Sequence, residues 1–182
     1  MKTLKYTGFS LLVIVLLLVV VSIFLPSKVH VERTVIIKAP ASLVFEQINT
    51  LRNWEKWSPW HSIDPAMKLT YTGPAMGPGA RYSWSSQHPN VGNGILTLKK
   101  SQPNLLIVAE MDFRENGKGT GTYTFKELAD GTFLTWAMDT DMGNNPVSKY
   151  VGLFMDGMIG PDFERGLANL KKISENQLSS NH

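Results

Sequence analysis

Residues 121–140 read GTYTFKELADGTFLTWAMDT, and two alternating runs within them decide the fold. In GTYTFKEL (121–128), Tyr123 and Phe125 fall at every second position; in TFLTWAMDT (132–140), Leu134, Trp136 and Met138 do the same. A period of two puts each set on one face of a strand, and the short turn-forming ADG between the runs implies an antiparallel return. One apolar and one polar face describe a sheet that buries a single side.

The same period runs back through MKLTYTG (67–73), ARYSWSS (80–86), GILTLKK (94–100) and LLIVAEMDF (105–113). The breaks GPAMGPG, HPNVGN, SQPN and RENGKG are rich in turn formers, so these six strands are expected to form a meander of neighbours. Upstream, VHVERTVIIK (29–38) is a further strand with Val29, Val31, Arg33, Val35 and Ile37 on one side. A short helix then begins at Ala41-Ser42, with Val44, Phe45 and Ile48 as its stripe. A second helical turn carries Asn53 to Trp57 and is halted before Pro59.

Downstream, Asn144 or Asn145 can cap a helix that has Pro146 at its first position. Val147, Val151, Phe154 and Met158 form an apolar seam that Phe163, Leu167, Leu170 and Ile173 continue, and Pro161 beside Gly157 and Gly160 predicts a sharp kink or two abutting helices. The expected fold class is α+β: a seven-stranded antiparallel curved sheet, two short helices and a long kinked C-terminal helix. That helix should roof the concave face and leave a hollow beneath it.

Ahead of this domain, Gly8 to Leu25 carries no charge, and Leu11 to Val21 is entirely Leu, Val and Ile. Its 18 residues span about 27 Å as a helix, close to the roughly 30 Å hydrocarbon core of a bilayer. The run is long for a signal peptide and ends Phe24-Leu25-Pro26-Ser27, a poor cleavage context, so an uncleaved transmembrane anchor is preferred. Lys2, Lys5 and the amino terminus favour a single-pass topology with the N-terminus cytoplasmic and the domain outside. The chain thus divides into an anchor (1–27), a domain (28–176) and a disordered tail (177–182).

Charge and composition exclude several functions. Of the 18 Lys and Arg, Lys2, Lys5 and Lys28 flank the anchor, and the other 15 equal the 15 Asp and Glu. A domain without surplus positive charge is not expected to bind nucleic acid. The absence of cysteine removes disulfides, thiolate nucleophiles and thiolate metal sites. GPAMGPG lacks the Lys-Ser/Thr ending of a phosphate loop, DTDMGNN (139–145) lacks the closing glutamate of a calcium loop, and the four histidines are dispersed. No Ser-His-Asp order appears. No metal and no cofactor is expected.

What remains is NWEKWSPWH (53–61), with three tryptophans and a histidine in nine positions. Trp54, Trp57 and Trp60 either plug the open end of the sheet as core or stack on a flat ligand at a cavity mouth. His61 is the one candidate general base, but no carboxylate is placed beside it by spacing. The inward residues Tyr82, Trp84, Tyr123, Trp136 and Met138 are candidate cavity walls, joined by Phe154 and Met158 from the covering helix. The alternative for all of them is ordinary core packing.

The order β-α-α-β6-α, with these motifs, resembles the START-like (SRPBCC) superfamily, whose helix-grip fold is that of the birch-pollen allergen. The specific resemblance is to its polyketide cyclase/dehydrase-like branch. It is carried by Ala39-Pro40-Ala41 with Val44-Phe45, and by Asn53-Trp54, Trp57 and Pro59-Trp60. Further carriers are Gly73-Pro74, Gly77, Gly79-Ala80-Arg81-Tyr82 and Trp84; Thr135-Trp136 and Met138; and Asp162-Phe163-Glu164, Gly166-Leu167 and Leu170-Lys171. The resemblance implies a cavity for a small hydrophobic ligand, lipid-like or isoprenoid-like, or alternatively a cyclase-type enzyme. A module with a closed core and no ligand is the third reading. A continuous apolar cavity above roughly 300 Å³ would favour binding, two converging titratable groups an enzyme, and a filled interior the closed module.

Overall fold

The 121–140 stretch folds as the hairpin of β6 (Lys118–Leu128) and β7 (Gly131–Asp141), with Tyr123 opposite Trp136 and Phe125 opposite Leu134. This computed structural model describes residues 2–180. Before the hairpin come α1 (Lys2–Phe24), β1 (Lys28–Ile37), α2 (Ala41–Asn49), a 3₁₀ helix (Leu51–Lys56) and α3 (Pro59–Ile63). Then follow β2 (Lys68–Thr72), β3 (Arg81–Ser85), β4 (Asn93–Gln102) and β5 (Leu106–Asp112). After the hairpin lie α4 (Pro146–Gly152) and α5 (Met155–Ser180).

Among the described residues the seven strands form one curved antiparallel sheet in the order β1-β7-β6-β5-β4-β3-β2. The meander is as expected, and β1 closes its far edge by pairing with β7, Val31 opposite Met138 and Val35 opposite Leu134. A bulge between Leu98 and Lys100 leaves Lys99 out of the backbone register with β5, a device that bends and twists a sheet locally. Long helix α5 packs chiefly against β1, with α2, the 3₁₀ helix and α3 as its other neighbours.

The tryptophan-rich segment differs from expectation. Ser58 is extended, as a residue before proline must be, but Pro59 then opens α3 at its first position. Three short helical pieces therefore precede the meander. The tryptophans have a specific local task. The last four carbonyls of a helix lack intrahelical donors, and in α2 all four are met. The Glu46 carbonyl accepts from Thr50 N–H at 3.1 Å and the Asn49 carbonyl from Gly77 N–H at 3.1 Å. The Ile48 carbonyl accepts from Trp54 Nε1 at 2.8 Å and the Gln47 carbonyl from Trp57 Nε1 at 3.2 Å. Gly77 reaches its carbonyl with φ +75°, a backbone state that glycine adopts cheaply.

At the C-terminus, Asn145 Oδ1 caps α4 by accepting from the N–H groups of Val147 and Ser148. The interruption expected at Pro161 falls instead at Leu153–Phe154, and α5 runs on through Pro161. Pro161 lacks the N–H that would serve the Gly157 carbonyl one turn back, so the helix continues there with one backbone hydrogen bond fewer.

The predicted seam also splits. Phe163, Leu167 and Leu170 are buried against the sheet, whereas Val147, Val151, Phe154 and Met158 face outward. Polar contacts hold the first turns of α5 over β1: Arg33 donates to both carboxylate oxygens of Asp156, at 2.8 and 3.0 Å, and to Glu164 at 2.8 Å. The expected loose tail is helical to Ser180, tied down by Gln47 Nε2 donating to Gln177 at 2.9 Å and by Leu178 against the core. Asn181 and His182 lie outside the described residues.

Candidate functional site

Among the described residues, the space beneath α5 is packed with aromatic side chains. The Trp136 ring stacks on Phe163 with centroids 4.0 Å apart and planes 7° from parallel. Tyr123 stacks on its other side at 5.3 Å, and Trp57 meets it edge-on at 5.7 Å. Helix α5 comes this close because residue 166 is glycine: a Cβ there would stand 2.9 Å from the Trp136 ring and 3.0 Å from Pro59. The expected cavity between sheet and C-terminal helix is therefore corrected. Aromatic volume from β6, β7, α5 and Trp57, which follows the 3₁₀ helix, fills it.

The gap that remains lies at the other end of the sheet, where the 3₁₀ helix and α3 cover β3, β4 and β5. It is an apolar pocket of about 40 Å³, walled by Trp54, Trp60, Tyr82, Trp84 and Phe113 and floored by Leu96 and Met111. That volume holds roughly three waters. The rings form an arc: Trp54 meets Tyr82 edge-on at 6.3 Å, Tyr82 meets Trp84 at 6.0 Å, and Trp84 meets Phe113 at 5.9 Å. Met67 and Val91, from the α3–β2 and β3–β4 connections, complete the lining. A short hydrogen bond from the Ser86 hydroxyl to Asp64 ties these two connections together. Ser86 Oγ also accepts from His88 N–H at 2.9 Å, and Trp84 Nε1 donates to the Val91 carbonyl at 3.3 Å.

The pocket's polar equipment is sparse. Ser58 lines it and is buried. The Tyr82 hydroxyl makes no hydrogen bond among the described residues, and burial pushes its pKa well above the ordinary phenol value, so it stays neutral. No carboxylate and no imidazole is among the lining residues.

Of the sequence candidates, Trp54, Trp60, Tyr82 and Trp84 come together at this pocket. Tyr123 and Trp136 are buried in the aromatic stack instead, and Met138 is buried beside Gly119. Phe154 and Met158 are 67% and 60% exposed and stand outside the aromatic pocket; the broken, polar-tethered start of α5 turns them away from the sheet. His61 borders a narrow cleft of about 10 Å³ together with Glu55 and Tyr71. Its Nδ1 is buried without a hydrogen-bond partner, and Glu55 is engaged by the Tyr71 hydroxyl at 2.5 Å. Among the described residues no group of three His, Cys, Asp or Glu could hold a metal.

Sequence reasoning missed Ser58, Met67, Val91, Leu96, Met111 and Phe113. Leu96 and Met111 sit in the runs GILTLKK and LLIVAEMDF, whose period of two is the signal that could have found them. Which inward residues share one gap depends on strand order and on where α3 lies.

The family described as "Polyketide cyclase / dehydrase and lipid transport" matches residues 28–175. The chain belongs to this family. No curated protein matches the chain in sequence. Among solved structures, the fold is similar to the di-domain ARO/CYC StfQ from the steffimycin biosynthetic pathway, with TM-score 0.64 and 11% identity over 84% of this chain. The match spans only 52% of that di-domain protein. It is similar also to SA2116 from Staphylococcus aureus, a protein of unknown function, with TM-score 0.64, 13% identity and coverage of 84% of this chain and 96% of that one. Ara h 8.0201 gives TM-score 0.55 at 12% identity, covering 84% and 99% of the two chains. At such identities these likenesses establish the helix-grip fold of the family and nothing finer.

Proposed function

We propose that this family member binds a small hydrophobic molecule at the aromatic pocket under α3, while α1 holds it on a membrane. The observation that carries the reading is the ring-walled gap of Trp54, Trp60, Tyr82, Trp84 and Phe113, with the unengaged Tyr82 hydroxyl as its hydrogen-bonding group. A flat or branched apolar guest, isoprenoid-like or lipid-like, gains stacking area there and one polar anchor. By the volume criterion the pocket, at about 40 Å³ against the roughly 300 Å³ of a drug-sized guest, favours the closed module; the family's description, which includes lipid transport, supports binding instead. Entry of such a guest therefore requires the Met67 and Val91 arms to part, and the Asp64–Ser86 bond sets the resistance. A cyclase-type reaction would require a proton-transferring pair, and the lining supplies only the neutral Tyr82 phenol and the Ser58 hydroxyl, which supports binding over catalysis.

The anchoring half of the reading rests on α1. Tyr6–Phe24 has mean hydropathy 2.9, and 6% of its apolar window is buried within the protein. Lys2 and Lys5 precede it, so the N-terminus is assigned to the cytoplasmic side.

Native mass spectrometry of the full chain, released from detergent micelles, tests the binding. Wild type should carry an apolar adduct, or take one up from added farnesol or oleate. Val91→Trp, which plugs the mouth, should lose it. A wild-type spectrum without adduct under both additions would instead assign the domain to the closed, ligand-free module.

A further inference from the structure

The seam Val147, Val151, Phe154 and Met158 has the spacing of a core face yet is exposed, and Leu153 at the helix break is exposed with it. Scattered exposed apolar residues are ordinary, but a contiguous cluster of this size on one surface marks an interaction site. Its neighbours identify what covers it. Helix α4 packs against α1: the Tyr150 hydroxyl donates to the Leu18 carbonyl at 2.9 Å, and Lys149 Nζ donates to the Ser22 carbonyl at 3.1 Å. Ser22 is buried by this contact, although most of α1 is bare.

These two bonds fix the height of α4 along α1. Leu18 precedes Phe24 by six residues, which is about 9 Å of helical rise inside the end of the apolar segment. An interfacial helix lays its apolar face roughly 5–10 Å into the headgroup and acyl boundary, so the two depths agree. Tyr150 and Lys149 are also residue types suited to that level, an amphipathic ring and an extensible cation.

We infer that α4 and the first turns of α5 form a second membrane contact, with Val147, Val151, Leu153, Phe154 and Met158 dipping into the phospholipid acyl boundary beside α1. The inference rests on the reading of α1 as an anchor. It adds that the domain is held in one orientation on the bilayer rather than swinging on a tether. Arg33, by pinning Asp156 and Glu164, presents the apolar turns at a fixed angle to the sheet.

The chain has no cysteine, so single nitroxides can be placed cleanly on the full-length protein. The test uses nanodiscs of phosphatidylcholine and phosphatidylglycerol, with labels at Val151→Cys and Phe154→Cys. Val15→Cys in α1 reports on the anchor, and Lys126→Cys on β6 serves as the aqueous control. The expected result is loss of collisions with a water-soluble nickel chelate and gain of collisions with oxygen at 151 and 154, as at 15 and opposite to 126. If 151 and 154 behave like 126 while 15 is lipid-protected, the second contact is wrong and the anchor stands. If 15 is also water-exposed, the anchor fails and takes the inference with it. If 154 is protected but its spectrum is broadened until unlabelled chain is added in excess, a second copy covers the face, and the bilayer assignment is overturned.

Discussion

Trp136 on β7 lies flat against Phe163 on α5, with ring centroids 4.0 Å apart and planes 7° from parallel. This contact sets the character of the domain. It brings the long helix down onto β7 at Gly166 and removes the space that a helix standing further off would have enclosed. The pocket is left where α5 does not reach, under α3.

Because Phe163 is fully buried in that stack, Phe163→Ala should cost about 3–5 kcal/mol, the sum of lost transfer energy and a cavity beside Trp136. Chemical denaturation of the full chain in non-ionic detergent measures it. A loss below about 1 kcal/mol would mean the helix collapses onto the gap and the stack is not what seats it.

The capping role of the tryptophans separates from their bulk. Trp54→Phe keeps most of the ring volume but leaves the Ile48 carbonyl without its donor, so about 1–3 kcal/mol should be lost. Trp57→Phe, which breaks the longer 3.2 Å bond to Gln47, should cost less. Amide exchange in the last turn of α2 should quicken in both variants, and unchanged exchange would count against capping.

Ser86→Ala releases the bond between the two arms of the pocket. Hydrogen exchange across residues 86–93 should accelerate, with Val91 and Gly92 most affected, while exchange in β5–β7 stays as in wild type. If the 86–93 segment remains protected, Asp64–Ser86 is not the latch and entry is controlled elsewhere.

His30 Nδ1 lies 2.7 Å from Asp139 Oδ1 across the β1–β7 pair. The hydrogen bond to Asp139 raises the His30 pKa above the ordinary histidine value; desolvation opposes it, and the nearby charges of Asp139 and Glu32 add to the rise. A raised folded pKa means that the contribution to stability is fully present below the unfolded value and is lost as pH rises through the folded one. Both groups are largely exposed, so the effect on stability is small. NMR titration of the His30 ring should show the elevated midpoint, and Asp139→Asn should lower it. A midpoint insensitive to that substitution would contradict the assignment.

Much of the fold was legible in the chain. Alternation at Tyr123, Phe125, Leu134, Trp136 and Met138 marks inward positions, and all five are buried. Turn-forming breaks gave the meander, and Asn145-Pro146 gave the start of α4. Less of the site was legible. Four of the nine proposed cavity residues line the pocket, while Phe154 and Met158 share their helical spacing with Phe163 and Leu167 but not their burial.

Local pattern determined which face of each strand and helix is apolar, because side-chain direction repeats every two residues in a strand and every 3.6 in a helix. It also determined that α1 is long and apolar enough to cross a bilayer. Only the tertiary structure decided which apolar faces meet. Whether a hollow survives depends on how volumes from distant segments fit, here Trp57, Tyr123, Trp136 and Phe163 filling one end and a 40 Å³ gap left at the other. Whether a seam is core or surface depends on where its helix breaks and what lies beside it, and neither is written in its period.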